Sequence, residues 1–205
     1  MKKILFLITA SLTLHAAIAQ TLNMPIVFTN GSYLLQKGDK LVYHVNTGSA
    51  EYDFIVTIND GGAKKAIDFD YTMTNSNKTS GRVTISAAAR AAARKYVNYF
   101  AGGNLNLTDA STVWLTDATY NDLDYTKTQM SFDGGAEETL YTQAHNEVSP
   151  VVKIKGVNRT LKAFSMTNAP TGNTGNKTLW INLSGLNPLI VKMDLGFTIE
   201  LKEIQ

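Results

Sequence analysis

The sequence predicts a mainly β protein, built as a single curved antiparallel sheet or half-barrel with one or two short helices. Apolar and polar residues alternate with a period of two over most of the chain, as in strands that bury one face. Turn residues recur at short intervals, and a length of 205 residues suits one domain with a sizeable core. The chain has no cysteine, so this core does not depend on disulfides or cysteine-bound metals.

The N-terminal segment reads as a secretory signal peptide. A start with two lysines precedes a mostly apolar stretch, and small residues then occupy the positions that a signal peptidase recognises. We predict cleavage between Ala19 and Gln20, which leaves residues 1–19 as the signal and 20–205 as a single β-rich domain. The apolar run is shorter than the roughly 20 residues that span a bilayer, so the segment is not expected to anchor the protein. We therefore expect an exported protein, either periplasmic or secreted.

Removal of this segment changes the charge balance. The mature chain carries 17 basic and 17 acidic residues, because the signal takes two lysines and no acid. A chain without net charge has no general electrostatic attraction for nucleic acid or for anionic lipid. Elsewhere the chain has no stretch apolar enough for a membrane helix. We expect a protein that binds no nucleic acid and is not integral to a membrane.

The first strands follow directly from the alternation. Lys40–Asn46 is predicted as a strand, and Glu51–Asn59 and Ala66–Thr74 as the two arms of a hairpin. The sequence Asp60-Gly61-Gly62 between these arms suits the positive φ angles of a tight turn. One face of this hairpin should contact the core.

The strand pattern breaks at Ser86, where an alanine-rich stretch begins. Alanine is the best helix former, serine is a good N-cap, and Gly102-Gly103 offers a stop. These signals predict a helix over Ala87–Phe100. A strand around Thr112–Leu115 and a second helix over Thr116–Leu123 are predicted to follow.

Strands resume in the C-terminal part of the chain. They are predicted over Tyr125–Phe132, Glu137–Gln143, Val151–Lys155, Thr160–Thr167, Lys177–Leu183, Leu189–Leu195 and Phe197–Leu201. The first two should form a hairpin, and the third and fourth should pair across Gly156–Arg159. Ala169–Asn176 reads as a loop, and Gly196 as a bulge or sharp bend in a continuous run.

A search for catalytic motifs finds no phosphate loop, nucleophile elbow or zinc-binding helix in the sequence. His44 and His145 are the only histidines of the mature chain. Neither stands at a spacing that indicates a catalytic partner residue. Asp53, Asp68 and Asp70 could approach one another as a carboxylate set, although a solvated acidic strand face is the preferred interpretation. We predict no catalytic residue, no metal ligand and no cofactor.

Some strands carry apolar residues on both faces, which is the pattern expected where a sheet lines a second apolar surface. Ile55, Trp180 and Ile190 lie on the side opposite to their inward-facing neighbours. We predict that these three residues bind a ligand. Trp114, which lies between two apolar residues, is assigned to the core.

Three short features resemble a known group of proteins. They are Lys37–Tyr43 at the opening of the first strands, the alanine-rich interruption, and Asn187–Val191 ahead of the final strands. Over most of residues 33–204 the layout is similar to uncharacterised secreted bacterial proteins of the periplasmic lipoprotein-carrier-like group. The resemblance implies a curved half-barrel with helices over its open side. Carrier members of the group hold acyl chains inside the half-barrel, which implies an apolar ligand here.

Three functions remain open at this point. The first is an exported, non-enzymatic protein that binds an apolar or amphipathic small molecule, a lipid or a lipidated protein. The second is a structural or protein-interaction module of the cell envelope, and the third is a hydrolase that uses the aspartates or His145. A dry apolar cavity favours the first, an exposed apolar patch the second, and a cleft with converging carboxylates the third.

Overall fold

A computed structural model describes residues 28–29, 32–61, 65–75, 77–122, 126–170, 173, 175–184 and 188–205. Within these ranges most residues lie in strands, and the longest sheet curves until it nearly closes on itself, with two short helices. The fold class predicted from the alternation is therefore confirmed. The signal-peptide prediction, with its cleavage at Ala19 and Gln20, lies outside the described residues.

The elements are named here in chain order. They are β1 (Phe28–Thr29), β2 (Ser32–Tyr33), β3 (Lys40–Asn46), β4 (Glu51–Asp60), β5 (Ile67–Met73), β6 (Ser80–Ile85), α1 (Ala87–Ala92), β7 (Lys95–Tyr96), β8 (Gly103–Leu107), β9 (Ala110–Ser111), α2 (Asp117–Asn121), β10 (Lys127–Phe132), β11 (Glu138–Val148), β12 (Val151–Ile154), β13 (Val157–Thr160), β14 (Ala163–Thr167), β15 (Thr178–Asn182), β16 (Ile190–Asp194) and β17 (Thr198–Ile204).

The main sheet has 15 strands, in the order β8-β6-β5-β4-β3-β17-β16-β15-β14-β11-β10-β7-β9, with β12 beside β17 and β13 beside β12. Its two end strands, β8 and β9, follow each other in the chain and are separated only by Thr108 and Asp109. A linker of two residues keeps the ends of these strands within about 11 Å of each other. The sheet must therefore curve until its two end strands come close together.

Alternation along each strand fills the space inside the curve. On β3, β4 and β5 every second residue is buried, including Tyr43, Phe54 and Tyr71, which define the inner face. His44 and Asp53 lie on the outer face of the same strands and are partly exposed. This buried inner face is the main source of stability, because each large apolar side chain removed from water contributes about 1.5–3 kcal/mol.

A close backbone contact fixes the first edge of the sheet. Gly81 of β6 lies opposite Gly103 of β8 in a parallel register. A Cβ atom at Gly81 would lie 1.8 Å from the carbonyl oxygen of Gly103, a distance that no real side chain tolerates. Glycine at this position is therefore required for β8 to pair with β6.

The first helix is shorter than the sequence predicts. It begins after Ser86, whose hydroxyl accepts a hydrogen bond from the backbone N–H of Ala89, and it ends at Ala92. The predicted extension to Phe100 is wrong, because Lys95–Tyr96 instead pairs in parallel with both β10 and β9. Tertiary pairing outweighs the helix propensity of the alanines here.

The segment after β9 also departs from the prediction. No strand forms over Thr112–Leu115, where Trp114 makes only an isolated bridge to Leu189. Val113 has a positive φ angle of 62°, which interrupts an extended chain. The second helix is present with Thr116 as its N-cap, and its predicted end at Leu123 lies outside the described residues.

Strands β6 and β8 were not predicted from the sequence, whereas two turns account for differences in the C-terminal part of the chain. Lys155 and Gly156 both have positive φ, so they form a two-residue turn that pairs β12 with β13 rather than with the predicted Thr160–Thr167. The Lys155 amino group donates to the buried Asp39 carboxylate at 2.6 Å, which holds this hairpin against the start of β3. Gly196, expected as a bulge or bend, instead forms the tight turn between β16 and β17.

The other predicted strands agree with the structure to within a few residues, and β10 and β11 form the expected hairpin. Trp114 lies in the core, as the sequence analysis assigned it, with 2% of its surface exposed. Neither helix in the described part of the chain has the length and apolar character needed to cross a membrane.

Candidate ligand-binding pocket

An apolar pocket of about 280 Å³ lies inside the curved sheet. Its walls come from β3, β4, β5, β16 and β17, from the loops after β3, β7 and β10, and from the segment after β9. The lining residues are Tyr43, Val45, Thr47, Tyr52, Phe54, Met73, Asn98, Tyr99, Phe100, Thr112, Val113, Asp133, Ile190, Met193, Phe197 and Ile199. Most of these side chains are apolar, so the pocket suits the apolar part of a ligand.

One wall of the pocket is a cluster of aromatic rings. Phe100 stacks on Phe54 with ring centroids 4.8 Å apart, and it contacts Tyr71 at 4.9 Å. The backbone N–H of Gly102 donates to the Tyr71 hydroxyl at 3.1 Å, which ties the loop after β7 to this cluster. Phe54 and Phe100 line the pocket and Tyr71 supports them from behind the lining, so this wall is apolar and well packed.

The opposite wall is a buried segment that runs through the interior after β9. Every residue from Ala110 to Thr116 is buried. Ile190 donates its backbone N–H to the carbonyl of Val113 at 2.9 Å, and Trp114 packs on Phe69 at 5.6 Å. The segment is therefore held to β16 by its backbone and to β5 by its side chain.

Val113 adopts a strained conformation at this wall. Its φ of 62° lies in the left-handed region, which is unusual for any residue but glycine and most of all for a β-branched one. Such strain costs about 1–3 kcal/mol and tends to occur at functional sites. The strain coincides with a residue that lines the pocket.

Polar groups below the pocket hold the buried segment in place. The Arg90 guanidinium is fully buried, donates to the Leu115 carbonyl at 3.0 Å, and lies 3.5 Å from the Asp117 carboxylate. Burial lowers the pKa of Arg90, while the nearby Asp117 opposes that shift. Thr116 donates its hydroxyl to the Ala93 carbonyl at 2.8 Å. These contacts fix the segment to both helices.

The buried tyrosine hydroxyl of the pocket already has a hydrogen-bond partner. Tyr43 donates to the carbonyl oxygen of Ile190 at 3.0 Å, and burial raises the pKa of this phenol far above its usual range. The hydroxyl therefore stays neutral and engaged in the protein. It braces β3 against β16 and leaves the inner end of the pocket apolar.

The mouth of the pocket is polar. Thr47 and Asp133 are exposed there, Asn98 is half-buried, and Tyr99 exposes 75% of its surface. The backbone N–H groups of Asn98 and Tyr99 donate to one oxygen of the Asp133 carboxylate, at 2.6 and 3.3 Å. An apolar interior beneath a polar rim is the usual arrangement of a site for an amphipathic molecule.

The structure places one of the three predicted ligand-binding residues in the pocket. Ile190 is buried and lines it. Ile55 and Trp180 are half-buried on the outer face, and neither belongs to the lining. The Lys192 amino group lies 4.3 Å from the Trp180 ring centroid, which is a cation–π contact across neighbouring strands.

Asp68 and Asp70 share the outer face of β5, but the third carboxylate of the hydrolase hypothesis, Asp53, is not brought to them. Asp68 forms a bidentate pair with Arg82, with N–O distances of 2.9 and 2.8 Å. Asp53 contacts His44 at 3.3 Å, whereas Asp70 lies opposite Thr57 on the neighbouring strand. Asp53 and Thr57 are four residues apart along β4, a separation of about 13 Å.

The aspartates on the outer face are therefore solvated strand residues with local partners. Among the described residues, no group of three or more acidic or histidine side chains is arranged to hold a metal ion. The His145 side chain lies outside the described part of the structure.

Several lining residues were missed by the sequence analysis. Asn98, Tyr99 and Phe100 had been assigned to a helix, so their role as one side of the mouth was not foreseen. Asp133 precedes two glycines in the sequence, and this pattern indicates only a turn. The sequence feature that could have indicated this loop is the run of aromatic residues directly before Gly102-Gly103. Such a run is compatible with the end of a helix and equally with a loop that packs on a core.

Comparisons of the chain with protein-family models, with curated proteins and with solved structures find no match.

Proposed function

We propose that this protein is an exported, non-enzymatic binding protein that holds a small apolar or amphipathic molecule inside its curved sheet. The observation that carries the proposal is the apolar pocket of about 280 Å³, walled by aromatic and aliphatic side chains and rimmed by polar ones. Export rests on the N-terminal sequence pattern of charge, apolar stretch and small residues.

The size of the pocket limits the ligand. A cavity of about 150 Å³ holds one benzene ring, and pockets for drug-sized molecules start at about 300 Å³. The pocket here, at about 280 Å³, is nearly twice as large as the benzene cavity, so it has room for a small molecule of linked aromatic rings or for one short alkyl chain. The body of a two-chain lipid would not fit, so a lipid or lipidated protein would insert a single chain.

The resemblance to the lipoprotein-carrier-like group is consistent with this reading. A curved, mainly β sheet with an apolar interior and short helices is the architecture that the resemblance implies. We propose that this protein holds its ligand in the same way as the carriers of that group, with an apolar chain inside the curve of the sheet. The small volume favours a shorter chain than a whole lipid anchor.

The test is binding of a neutral apolar fluorescent probe, N-phenyl-1-naphthylamine, to the protein purified from an exporting host. Met193 is buried on β16 and lines the pocket, so Met193→Trp fills the space and should weaken probe binding at least tenfold. Val45→Phe serves as a second filling variant on β3. Unfolding in urea checks that each variant still folds.

The matched control is Trp180→Ala, which removes a large apolar side chain from the outer face of the neighbouring strand. It should leave probe affinity unchanged. Equal probe binding by the wild type and both filling variants would reject the pocket as the site. A loss of binding in Trp180→Ala alone would move the site to the outer face.

A further inference from the structure

The residues that line the pocket carry negative charge only. Asp133 is the only charged side chain among the residues that line the pocket, and no Lys, Arg or His is included in that lining as the structure describes it. The other polar members are hydroxyls and one amide, from Thr47, Thr112, Asn98 and the tyrosines. A ligand head at the mouth therefore meets a negative charge without a positive one to balance it.

The position of the Asp133 carboxylate is fixed. Its Oδ1 accepts the two backbone hydrogen bonds from Asn98 and Tyr99, and its Oδ2 has only a long contact of 3.4 Å with the Asn98 side-chain amide. An ionised carboxylate has about four lone-pair sites. Asp133 is exposed, so Oδ2 retains capacity to accept a hydrogen bond from a ligand head.

The remaining hydroxyl groups at the mouth do little to favour an anion. The Thr47 hydroxyl accepts from the backbone N–H of Ala50 at 3.1 Å and lies 3.2 Å from the Ala50 carbonyl, so it is committed to its own turn. The Tyr99 hydroxyl is carried by a side chain that is 75% exposed, and water already solvates such a group.

We propose that the pocket selects amphipathic ligands with one short apolar chain or ring and a cationic or neutral, hydrogen-bond-donating head, and that it discriminates against carboxylate and phosphate heads. This inference rests on the proposed function and specifies its ligand class. An anionic head at the mouth faces like-charge repulsion from Asp133, which is strongest at low ionic strength because the rim is exposed. An ammonium or hydroxyl head instead donates to Asp133 Oδ2.

The experiment compares three molecules with the same chain and different heads: decylamine, decanol and decanoate. Each displaces N-phenyl-1-naphthylamine from the wild-type protein at low ionic strength, where charges at an exposed rim are least screened. Decylamine and decanol should displace the probe at concentrations about fivefold or more below that of decanoate. Decanoate displacement at equal or lower concentration would overturn the proposal.

Two substitutions assign the preference to the mouth. Asp133→Asn keeps a side-chain oxygen for the loop but removes the charge, so the ratio of decylamine to decanoate affinity should fall about threefold or more. Asp70→Asn removes an exposed carboxylate from the outer face and should leave that ratio unchanged. An unchanged ratio in Asp133→Asn would overturn the assignment.

Because Asp133 supports the loop after β7, a second variant keeps the test independent of that support. Tyr99→Lys places an ammonium at the mouth on a largely exposed side chain, and it should shift the preference towards decanoate. Tyr99→Gln, a polar change without charge, is its control. If Tyr99→Lys leaves the preference for decylamine intact, the head selectivity does not originate at this rim.

The two proposals fail in different ways. If neither the neutral probe nor decanol binds the wild-type protein, the pocket is not a ligand site and the proposed function is rejected. If both bind but the head group has no effect, only the inference about ligand class is rejected.

Discussion

The backbone conformation of Val113 indicates the position of the candidate site, which the sequence around Val113 does not. A β-branched residue in the left-handed region is maintained only where the surrounding structure imposes it. Here the imposing contacts are the backbone hydrogen bond to Ile190 and the packing of Trp114 on Phe69. The strained residue lines the pocket, which links the local geometry to the proposed function.

The strain at Val113 can be measured by comparing glycine and alanine substitutions, because strain should reverse the usual order of their stabilities. In a normal strand glycine is less stable than alanine by about 0.5–1 kcal/mol. The left-handed conformation costs an alanine about 1–2 kcal/mol that glycine does not incur. Val113→Gly should therefore be at least as stable as Val113→Ala in urea unfolding.

The control pair for this prediction is Val45→Gly and Val45→Ala, on a regular strand that lines the same pocket. Here the alanine variant should be the more stable. If Val113→Ala is more stable than Val113→Gly by the same margin, Val113 is not strained.

A second residue-scale prediction concerns acid stability. Hydrogen bonds from the Arg82 guanidinium lower the pKa of Asp68, with smaller contributions from Asn59 and Thr84, while partial burial opposes the shift. A carboxyl whose pKa is lower in the folded state stabilises the fold above its unfolded pKa, about 3.9, and loses that contribution as pH falls through the folded value.

The free energy of unfolding of Asp68→Asn should therefore differ from that of the wild type by more at about pH 6 than at about pH 3. Urea unfolding at both pH values measures the difference, with Glu137→Gln, which changes an exposed carboxyl between β10 and β11, as the control. A difference that is the same at both pH values would show that the Arg82 pair does not stabilise the folded state through charge.

At the scale of the elements, the closure of the sheet depends on the pairing of β6 with β8. Gly81→Ala places a methyl group against the Gly103 carbonyl, so the two strands must separate. We expect a loss of about 3 kcal/mol in the free energy of unfolding, at the upper end for an overpacked site. Urea unfolding gives the value.

Gly61→Ala is the matched control for this change. The nearest atom to its added Cβ is the Ile58 Cγ2 at 3.5 Å, an ordinary van der Waals distance. This variant should stay within about 0.5 kcal/mol of the wild type. If Gly81→Ala is equally mild, the close approach of β6 and β8 is not needed for the fold.

The elements also show how far the sequence predicts the structure. Strands β3, β4 and β5 follow from a strict alternation, because one face of each is buried and the other is wet. The length of α1 does not follow, because the end of the helix is set by pairing of Lys95–Tyr96 with strands more than ten residues away. The turn at Lys155–Gly156 was missed because lysine is an uncommon residue at positive φ.

The candidate site was harder to predict than the fold for the same reason. Ile190 was predicted on the second face of its strand and lines the pocket together with Met193, but the mouth is formed by loops whose positions depend on long-range contacts. Asp133 meets Asn98 and Tyr99 across 34 or 35 residues of chain. Ile55 and Trp180 were chosen as apolar residues on the second face of a strand, and that face is the outer one here.

At the scale of the whole molecule, the closing of the sheet creates the pocket. The two-residue link between β8 and β9 brings the sheet edges together, and the chain then turns inward as the buried segment after β9. That segment fills part of the interior and leaves about 280 Å³ between itself, the aromatic wall and β16. Fold and pocket are therefore one feature, since the same segment that completes the core also limits the ligand's size.

The most direct test of this account is native mass spectrometry of the protein purified from an exporting host, with organic extraction of whatever co-purifies. The account predicts one molecule per chain, with a single short apolar chain or ring and a neutral or cationic head. A ligand-free mass that stays unchanged when decanol and decylamine are added would contradict it.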